Sequence, residues 1–470
     1  MNRLKSRALS LLTLLFALCF SLPVFAGSVS GASVTVYNSG RALVKETRSA
    51  TLPQGMASVV FKNIPATIDP TSVRASAKGM QVLGVQYDYL PISPNNLLER
   101  YVGKELTVIL PDPTDANART LRKATLLSMS KQQGPVFLVG KEVYVGAYEA
   151  LLLPELPADL QREPTLTLTT KNQTASKRDV RLSYLMGGLT WRADYTLSVN
   201  RAGDEAVLDA WATLDNSSGR GFSNASLKLV AGQVQRETGG RMLRKANVAS
   251  MEYAMADAAP QPREEAFSQF HVYSVPGYVN LTEHGTRQTS LFAASGIKVK
   301  QQLVSRYHAG AGQQGGPVKQ NVQASLTFAN SEKNSLGNPM PSGLVRVFMP
   351  ASDGDMLLAG ESSIGHVGPG GEVKLTLGQA FDVTVERSQT SFRKLGKNSF
   401  EMSWSLSVVN GKKTPQELRL TDFYSGQWNI VKADRKYSKP DARSVQFDLT
   451  VPPTAGKKPM VVNYTVQVTY

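Results

Sequence analysis

The chain has 470 residues, of which 41% are hydrophobic, 8% aromatic and 19% charged, a balance that excludes a disordered or collagen-like polymer. At roughly 100 to 200 residues per domain that length makes about two to four domains with full hydrophobic cores, which excludes a small stapled scaffold. Fifty-two Lys and Arg against 37 Asp and Glu leave a net charge of +15 at neutral pH.

At the N-terminus Arg3, Lys5 and Arg7 precede the apolar run Ala8 to Phe20, and Val24-Phe25-Ala26 ends in a small residue before Gly27. That order predicts a secretory signal peptide over residues 1–26, cleaved after Ala26. The run is short for a membrane span and has no charged stop-transfer flank, so no integral span is expected in the mature chain. A lipid anchor on Cys19 competes with this reading, but the bulky Leu18 stands where such sites want a small residue. Cleavage removes three cations, no anion and the only cysteine, so the net charge falls from +15 to +12. The exported chain, periplasmic, envelope-associated or extracellular, then needs no disulfide and has no thiol nucleophile or thiolate metal ligand.

Residues 27 to about 95 read as strands broken by Pro53, Pro65 and Pro70, with helical spacing confined to short pieces such as Asn95 to Tyr101. Residues 101–153 are a compact run of short strands, short enough to close a small barrel. Pro154, Pro157 and Pro164 mark a boundary, dividing an N-terminal β region at 27–158 from a C-terminal β-sandwich domain at 159–470. From Thr165 strands resume. A stretch at about 237–267, rich in Ala, Met, Gly and charge, has no strand period and is expected to be a mobile surface loop.

Further along, Val322-Ala324-Leu326-Phe328, Val373-Leu375-Leu377, Val445-Phe447-Leu449-Val451 and Val462-Tyr464-Val466-Val468-Tyr470 all show period 2. The clearest case is Phe400, Met402, Trp404, Leu406 and Val408, which alternate with polar residues and run into the hairpin signal Asn410-Gly411. The expected fold is all-β: multi-domain antiparallel β-sandwiches.

One strand carries a candidate recognition pair. Trp191, Ala193, Tyr195, Leu197 and Val199 face one way, and Arg192, Asp194, Thr196 and Ser198 the other. Either Arg192 and Asp194 recognise a ligand, or Trp191 and Tyr195 plug a core and the charges form a same-face ion pair.

Reaction motifs are absent or out of context. Gly310-Ala311-Gly312-Gln313-Gln314-Gly315 fits a dinucleotide fingerprint, but Gly316-Pro317 and another strand come next, so no helix N-terminus receives a pyrophosphate. Gly-Lys pairs such as those at Gly103, Gly140, Gly411 and Gly456 are never followed by Ser or Thr. Ser128-Met129-Ser130-Lys131 and Ser391-Phe392-Arg393-Lys394 lack the helix start and companion motifs of a serine nucleophile. His271, His284, His308 and His366 are far apart in sequence, and Asp353 and Asp355 flank Gly354 as in a plain turn. No catalytic, cofactor-binding or metal-binding residue is assigned, and no cofactor is expected.

Short basic clusters such as Arg122-Lys123, Lys412-Lys413 and Lys457-Lys458 do not form a stripe interleaved with aromatics. Nucleic acid is therefore not an expected partner; a basic surface near anionic envelope polymers is.

Several motifs resemble those of one bacterial group: Gly188-Leu189-Thr190-Trp191-Arg192-Ala193-Asp194-Tyr195, Leu214-Asp215-Asn216-Ser217-Ser218-Gly219, Leu227-Lys228-Leu229-Val230-Ala231-Gly232 and His271-Val272-Tyr273-Ser274-Val275-Pro276. Val34-Thr35-Val36-Tyr37-Asn38, Ile68-Asp69-Pro70-Thr71-Ser72-Val73 and Gly378-Gln379-Ala380-Phe381-Asp382-Val383 extend the likeness over most of the mature chain. The group is a family of secreted proteins with a C-terminal domain of unknown function, related to the mucoidy-inhibitor-A-like proteins. That branch carries a helical coiled coil, and no sustained heptads occur here. The resemblance brings no catalytic residues. The sequence thus leads to an exported, non-catalytic envelope protein that binds or scaffolds, its partner an envelope polysaccharide or envelope protein. The alternatives are a glycan-acting hydrolase or lyase, which needs two converging carboxylates, and an outer-membrane β-barrel.

Overall fold

The computed structural model describes residues 24–25, 29–112, 118–130, 134–160, 163–232, 263–267, 270–310, 312, 315–454 and 458–470. The fold is all-β, with six sheets of four to seven strands among these residues. Most pairings are antiparallel. Parallel pairs form where segments remote in sequence meet, as Leu189–Val199 does with Gly343–Pro350 and Val29–Tyr37 with Phe222–Ala231; the chain between such partners supplies the crossover that a parallel pair requires.

Among the described residues three cores hold the sheets together. The largest runs from Ala32 to Leu375 and is filled by inward residues of the four-stranded sheet, such as Phe61 and Leu168, of a seven-stranded sheet, such as Val44 and Leu182, and of a five-stranded sheet, such as Leu197 and Leu208. The seven-stranded sheet contains Val29–Tyr37, Arg41–Leu52, Arg74–Ser76, Ser176–Gly187, Phe222–Ala231, Arg263–Phe267 and Phe270–Leu281, so it takes strands from both sides of residue 158. A second core lies between the six-stranded and five-stranded sheets of the C-terminal sandwich and is filled by Met402, Trp404, Leu406, Val408, Phe447 and Tyr464, among others. The third is small, built by Leu98, Tyr101, Val108, Leu126 and Phe137.

The third core rests on the helix Pro94–Tyr101, where Ser93 accepts the Asn96 amide at 3.2 Å as an N-cap and Pro94 opens the first turn. Above it, the segment expected to close a barrel forms an open five-stranded sheet instead. Its end strands, Glu142–Tyr144 and Ala150–Leu152, are three residues long, and each pairs with one neighbour and not with the other. Closure needs a continuous staggered ladder, and strands this short cannot supply one.

The expected loop at about 237–267 also needs correction at its end. Arg263–Phe267 is an edge strand paired with Phe270–Leu281. Main-chain ladder bonds build it, so a charged sequence without an apolar period can still take the edge. The remainder of that stretch, through residue 262, lies outside the described residues, as does most of the expected signal peptide. Just before the expected cleavage site, Val24–Phe25 pair in parallel with Val59 and Val60.

The motif Gly187-Gly188 is the junction at which the chain leaves the seven-stranded sheet for the five-stranded one. Gly188 has φ +72°, and a Cβ there would lie 2.9 Å from the Ser217 carbonyl oxygen, so only glycine fits the corner. The Ser217 amide closes it by donating to the Gly188 carbonyl at 2.6 Å.

Candidate functional site

The seven-stranded sheet buries one face and leaves the other open. On Arg41–Leu52, alternation turns Ala42, Val44, Glu46, Arg48 and Ala50 inward and Lys45 and Thr47 outward. Strand register then lines up Ser226, Ser33, Lys45, Ser183 and Arg74 in one row across five strands. Arg181 stands one row along, opposite Thr47 and Ser76.

Two irregularities shape this face into a groove of about 680 Å³. Gly31, at φ +52°, forms a bulge beside the row. On the far side Pro276, Gly277 and Tyr278 are extra residues opposite Ser226, which throws the Tyr278 side chain outward to 70% exposure at the groove's rim.

The groove is cationic. Lys45, Arg74 and Arg181 line it, and among the described residues none of the three has a salt bridge. Arg74 is steadied by donating to the carbonyls of Val73 at 3.0 Å and Thr71 at 3.5 Å. Among the described residues the one carboxylate residue lining the groove is Glu46, and its side chain points the other way and is fully buried. Asp179, two residues from Arg181 on the same outward face, stands outside the lining.

Beneath the groove Glu46 is held by two arginines. Arg220 Nη2 reaches Glu46 Oε2 at 2.7 Å, Arg48 Nη2 reaches Oε1 at 2.8 Å, and Tyr184 donates to Oε1 at 3.3 Å. Burial pushes the Glu46 carboxyl up, but the Arg220 hydrogen bond and the charges of Arg220 and Arg48 outweigh it and set its pKa below the ordinary glutamate value. Arg48 also donates to the carbonyls of Lys62, at 2.5 Å, and Asn63, tying the seven-stranded sheet to the chain beyond Gly55–Phe61. Arg220 arrives through the Leu214 to Gly219 motif: Asn216 Nδ2 donates to the Arg220 carbonyl, and Ser218 Oγ donates to Asn216 Oδ1 at 2.7 Å. Glu46 is thus locked as a structural counter-ion.

Arg192 and Asp194 lie elsewhere, on the outer face of the five-stranded sheet that contains Leu189–Val199 and Gly343–Pro350. Arg192 donates to Asp215 at 2.8 Å and approaches Asp194 at 3.4 Å; Asp194 also accepts from Thr213 at 2.6 Å and lies 3.7 Å from Arg346, which pairs with Glu361 at 2.8 Å. They are links in a cross-strand ladder of alternating charge. Trp191 and Tyr195 fill the core behind them, 4% and 1% exposed.

A second cleft of about 370 Å³ is lined by Tyr89, Glu163, Ser217, Glu283 and His284, among others. Among the described residues no group of three or more His, Cys, Asp or Glu is placed to hold a metal ion. His271 meets Glu264 at 2.7 Å, His308 stacks on Phe423, and His366 accepts the Ser342 amide. The glycine-rich 310–316 segment leads to the strand Val318–Gln320 and not to a helix. Ser128 and Ser391 sit within strands, and Asp353 accepts the Asp355 amide in a turn. No helix among the described residues is long and apolar enough to cross a membrane.

These features define an all-β protein of packed sheets with an open, cationic sheet-face groove. Residues 180–470 match the family described as domain of unknown function (DUF4139). That match spans more than half of the chain, which therefore belongs to this family. Residues 34–107 match the N-terminal domain of unknown function (DUF4140), and the two regions share the seven-stranded sheet and the largest core. No curated protein matches the chain.

Proposed function

We propose that this is an exported protein of the cell envelope that acts by non-covalent binding and holds an anionic envelope polysaccharide in the groove of the seven-stranded sheet. The observation that carries the reading is that Lys45, Arg74 and Arg181 line one groove with no carboxylate partner among the described residues. A sheet face with exposed hydroxyls and a rim tyrosine suits sugar hydroxyls and ring faces, and the cations select acidic sugars. The signal-like N-terminus and the motif resemblance to a family of secreted proteins support the same setting. Retention of the purified protein on isolated envelope polysaccharide across a salt series tests it. Binding that weakens with salt, falls in Lys45→Gln and Arg181→Gln, and releases no sugar fragments is the expected result.

A second reading, a glycan-acting hydrolase or lyase, is favoured by one observation: Glu163 and Glu283 line the same second cleft. Fragment release abolished by Glu163→Gln or Glu283→Gln would replace the binding reading with that one.

A further inference from the structure

The groove is not uniform along its length, and its asymmetry specifies a ligand more closely than net charge does. Lys45 and Arg74 both oppose Ser183 from its two sides, two strand spacings apart, or about 10 Å between their Cα atoms. Arg181 lies one strand from each and two residues along, which puts it about 8 Å from both. The three cations therefore form a triangle with Ser183 on its base; Arg74 is held at one corner through Nη1, and the long side chains of Lys45 and Arg181 can reach toward it. At the other end the row continues through Ser33 and Ser226 to the rim ring of Tyr278, with no charged side chain among the described residues facing into the groove. Lys228, the next cation on this face, is one row away and outside the lining.

Three like charges within about one screening length repel one another, and among the described residues no carboxylate in the groove relieves that repulsion. A carboxylate satisfies one guanidinium; a phosphate monoester brings close to two negative charges and three acceptor oxygens, enough for two arginines, a lysine and a serine hydroxyl together. Resting on the binding function proposed above, we infer that the groove takes a phosphorylated saccharide, its phosphate in the Lys45–Arg74–Arg181 triangle and its neutral rings along Ser33 and Ser226 against Tyr278.

Calorimetric titration of the purified protein with maltopentaose 6-phosphate, unmodified maltopentaose, pentagalacturonate and inorganic phosphate separates this inference from the broader reading. The phosphorylated sugar is expected to bind roughly tenfold or more tighter than either other sugar, the scale of one added charge-assisted contact. Arg181→Gln and Lys45→Gln should each remove most of that advantage. Tyr278→Ala should weaken the phosphorylated sugar and leave inorganic phosphate unchanged. Pentagalacturonate binding as tightly, with the same dependence on Lys45 and Arg181, overturns the phosphate inference and leaves the anionic-polysaccharide reading standing. Binding of any of these that is indifferent to Lys45→Gln and Arg181→Gln overturns both, as does phosphatidylglycerol vesicle binding that outcompetes every sugar.

Discussion

Arg387 and Asp422 meet at 2.5 Å across the two sheets of the C-terminal sandwich, each side chain 2% exposed or less. Arg387 stands on Val383–Lys394 of the five-stranded sheet and Asp422 on Gln416–Tyr424 of the six-stranded one. The pair is embedded further: Arg387 donates to the Tyr464 hydroxyl, Tyr464 donates to Asp422, and the guanidinium lies 4.2 Å from the Tyr307 ring centre and 4.9 Å from that of Trp404. Burial disfavours the charged guanidinium, yet Asp422 and Tyr464 outweigh it and raise its pKa.

Such a pair is costly to break and cheap to replace. Asp422→Asn strands a buried guanidinium and is expected to lower unfolding free energy by about 3 to 5 kcal/mol. The double replacement Arg387→Met with Asp422→Leu should recover most of that loss. Denaturant unfolding of the three proteins checks this; a double variant as unstable as the single one would mean that the charges contribute net stability.

The buried tyrosines around these clusters set an alkaline limit. Burial, reinforced by the charge of Asp422, raises the pKa of Tyr464 and Tyr424, and burial with the charge of Glu46 raises that of Tyr184. A raised folded-state pKa means that the unfolded chain releases these protons first, so stability is intact below about pH 10 and declines as pH rises above it. Ultraviolet titration is expected to show a group of tyrosines that ionise only together with loss of near-ultraviolet circular dichroism.

Glu46 contributes to the acid limit with the opposite sign. Its folded pKa is lowered, so its contribution is present above the unfolded glutamate value of about 4.3 and is lost as pH falls through the folded value. Glu46→Gln leaves Arg48 and Arg220 buried against a neutral amide and should cost about 3 to 5 kcal/mol at neutral pH. The deficit relative to the parent should shrink below about pH 4. Unfolding midpoints measured from neutral to acid pH test both statements.

These charge clusters also mark how far the sequence could be read. Period 2 located the strands: Met402, Trp404, Leu406 and Val408 are all buried as their alternation with serines requires. The same period places Glu46 and Arg48 on the inward face with Ala42, Val44 and Ala50, a visible signal of buried charge that a search for reaction motifs passes over. The groove was not legible. Lys45, Ser183 and Arg74 come from separate strands, and only cross-strand register puts them in one row. Tyr278 points outward because of a bulge, which alternation does not predict.

Trp191 and Arg192 are adjacent in sequence and opposite in consequence. The Trp191 ring is buried against Tyr273, with its indole N–H donating to the Val230 carbonyl at 3.2 Å. Arg192 has 58% of its side chain exposed. Trp191→Ala should lower stability by about 3 to 5 kcal/mol, and Arg192→Ala by less than about 1 kcal/mol. Thermal unfolding decides; a Trp191→Ala protein of unchanged midpoint that fails to bind envelope polysaccharide would move recognition to this strand.

The pairing of Val24–Phe25 with Val59 and Val60 gives signal cleavage a structural consequence. The expected cleavage after Ala26 would remove both residues and so free one edge of Gly55–Phe61, whose other edge is paired with Thr165–Asn172. On the proposed export, the mature protein is expected to begin at Gly27, which N-terminal sequencing of periplasmic or secreted material checks, and lipid on Cys19 would refute cleavage at that point. Hydrogen exchange supplies a second readout. Strand amides without a partner exchange from a locally open edge, so those of Gly55–Phe61 that face the lost residues should exchange faster in the processed protein than in the uncleaved precursor, while the Thr165–Asn172 ladder stays protected. Equal protection in the two forms would mean that the Val24–Phe25 pairing contributes nothing to the edge it covers.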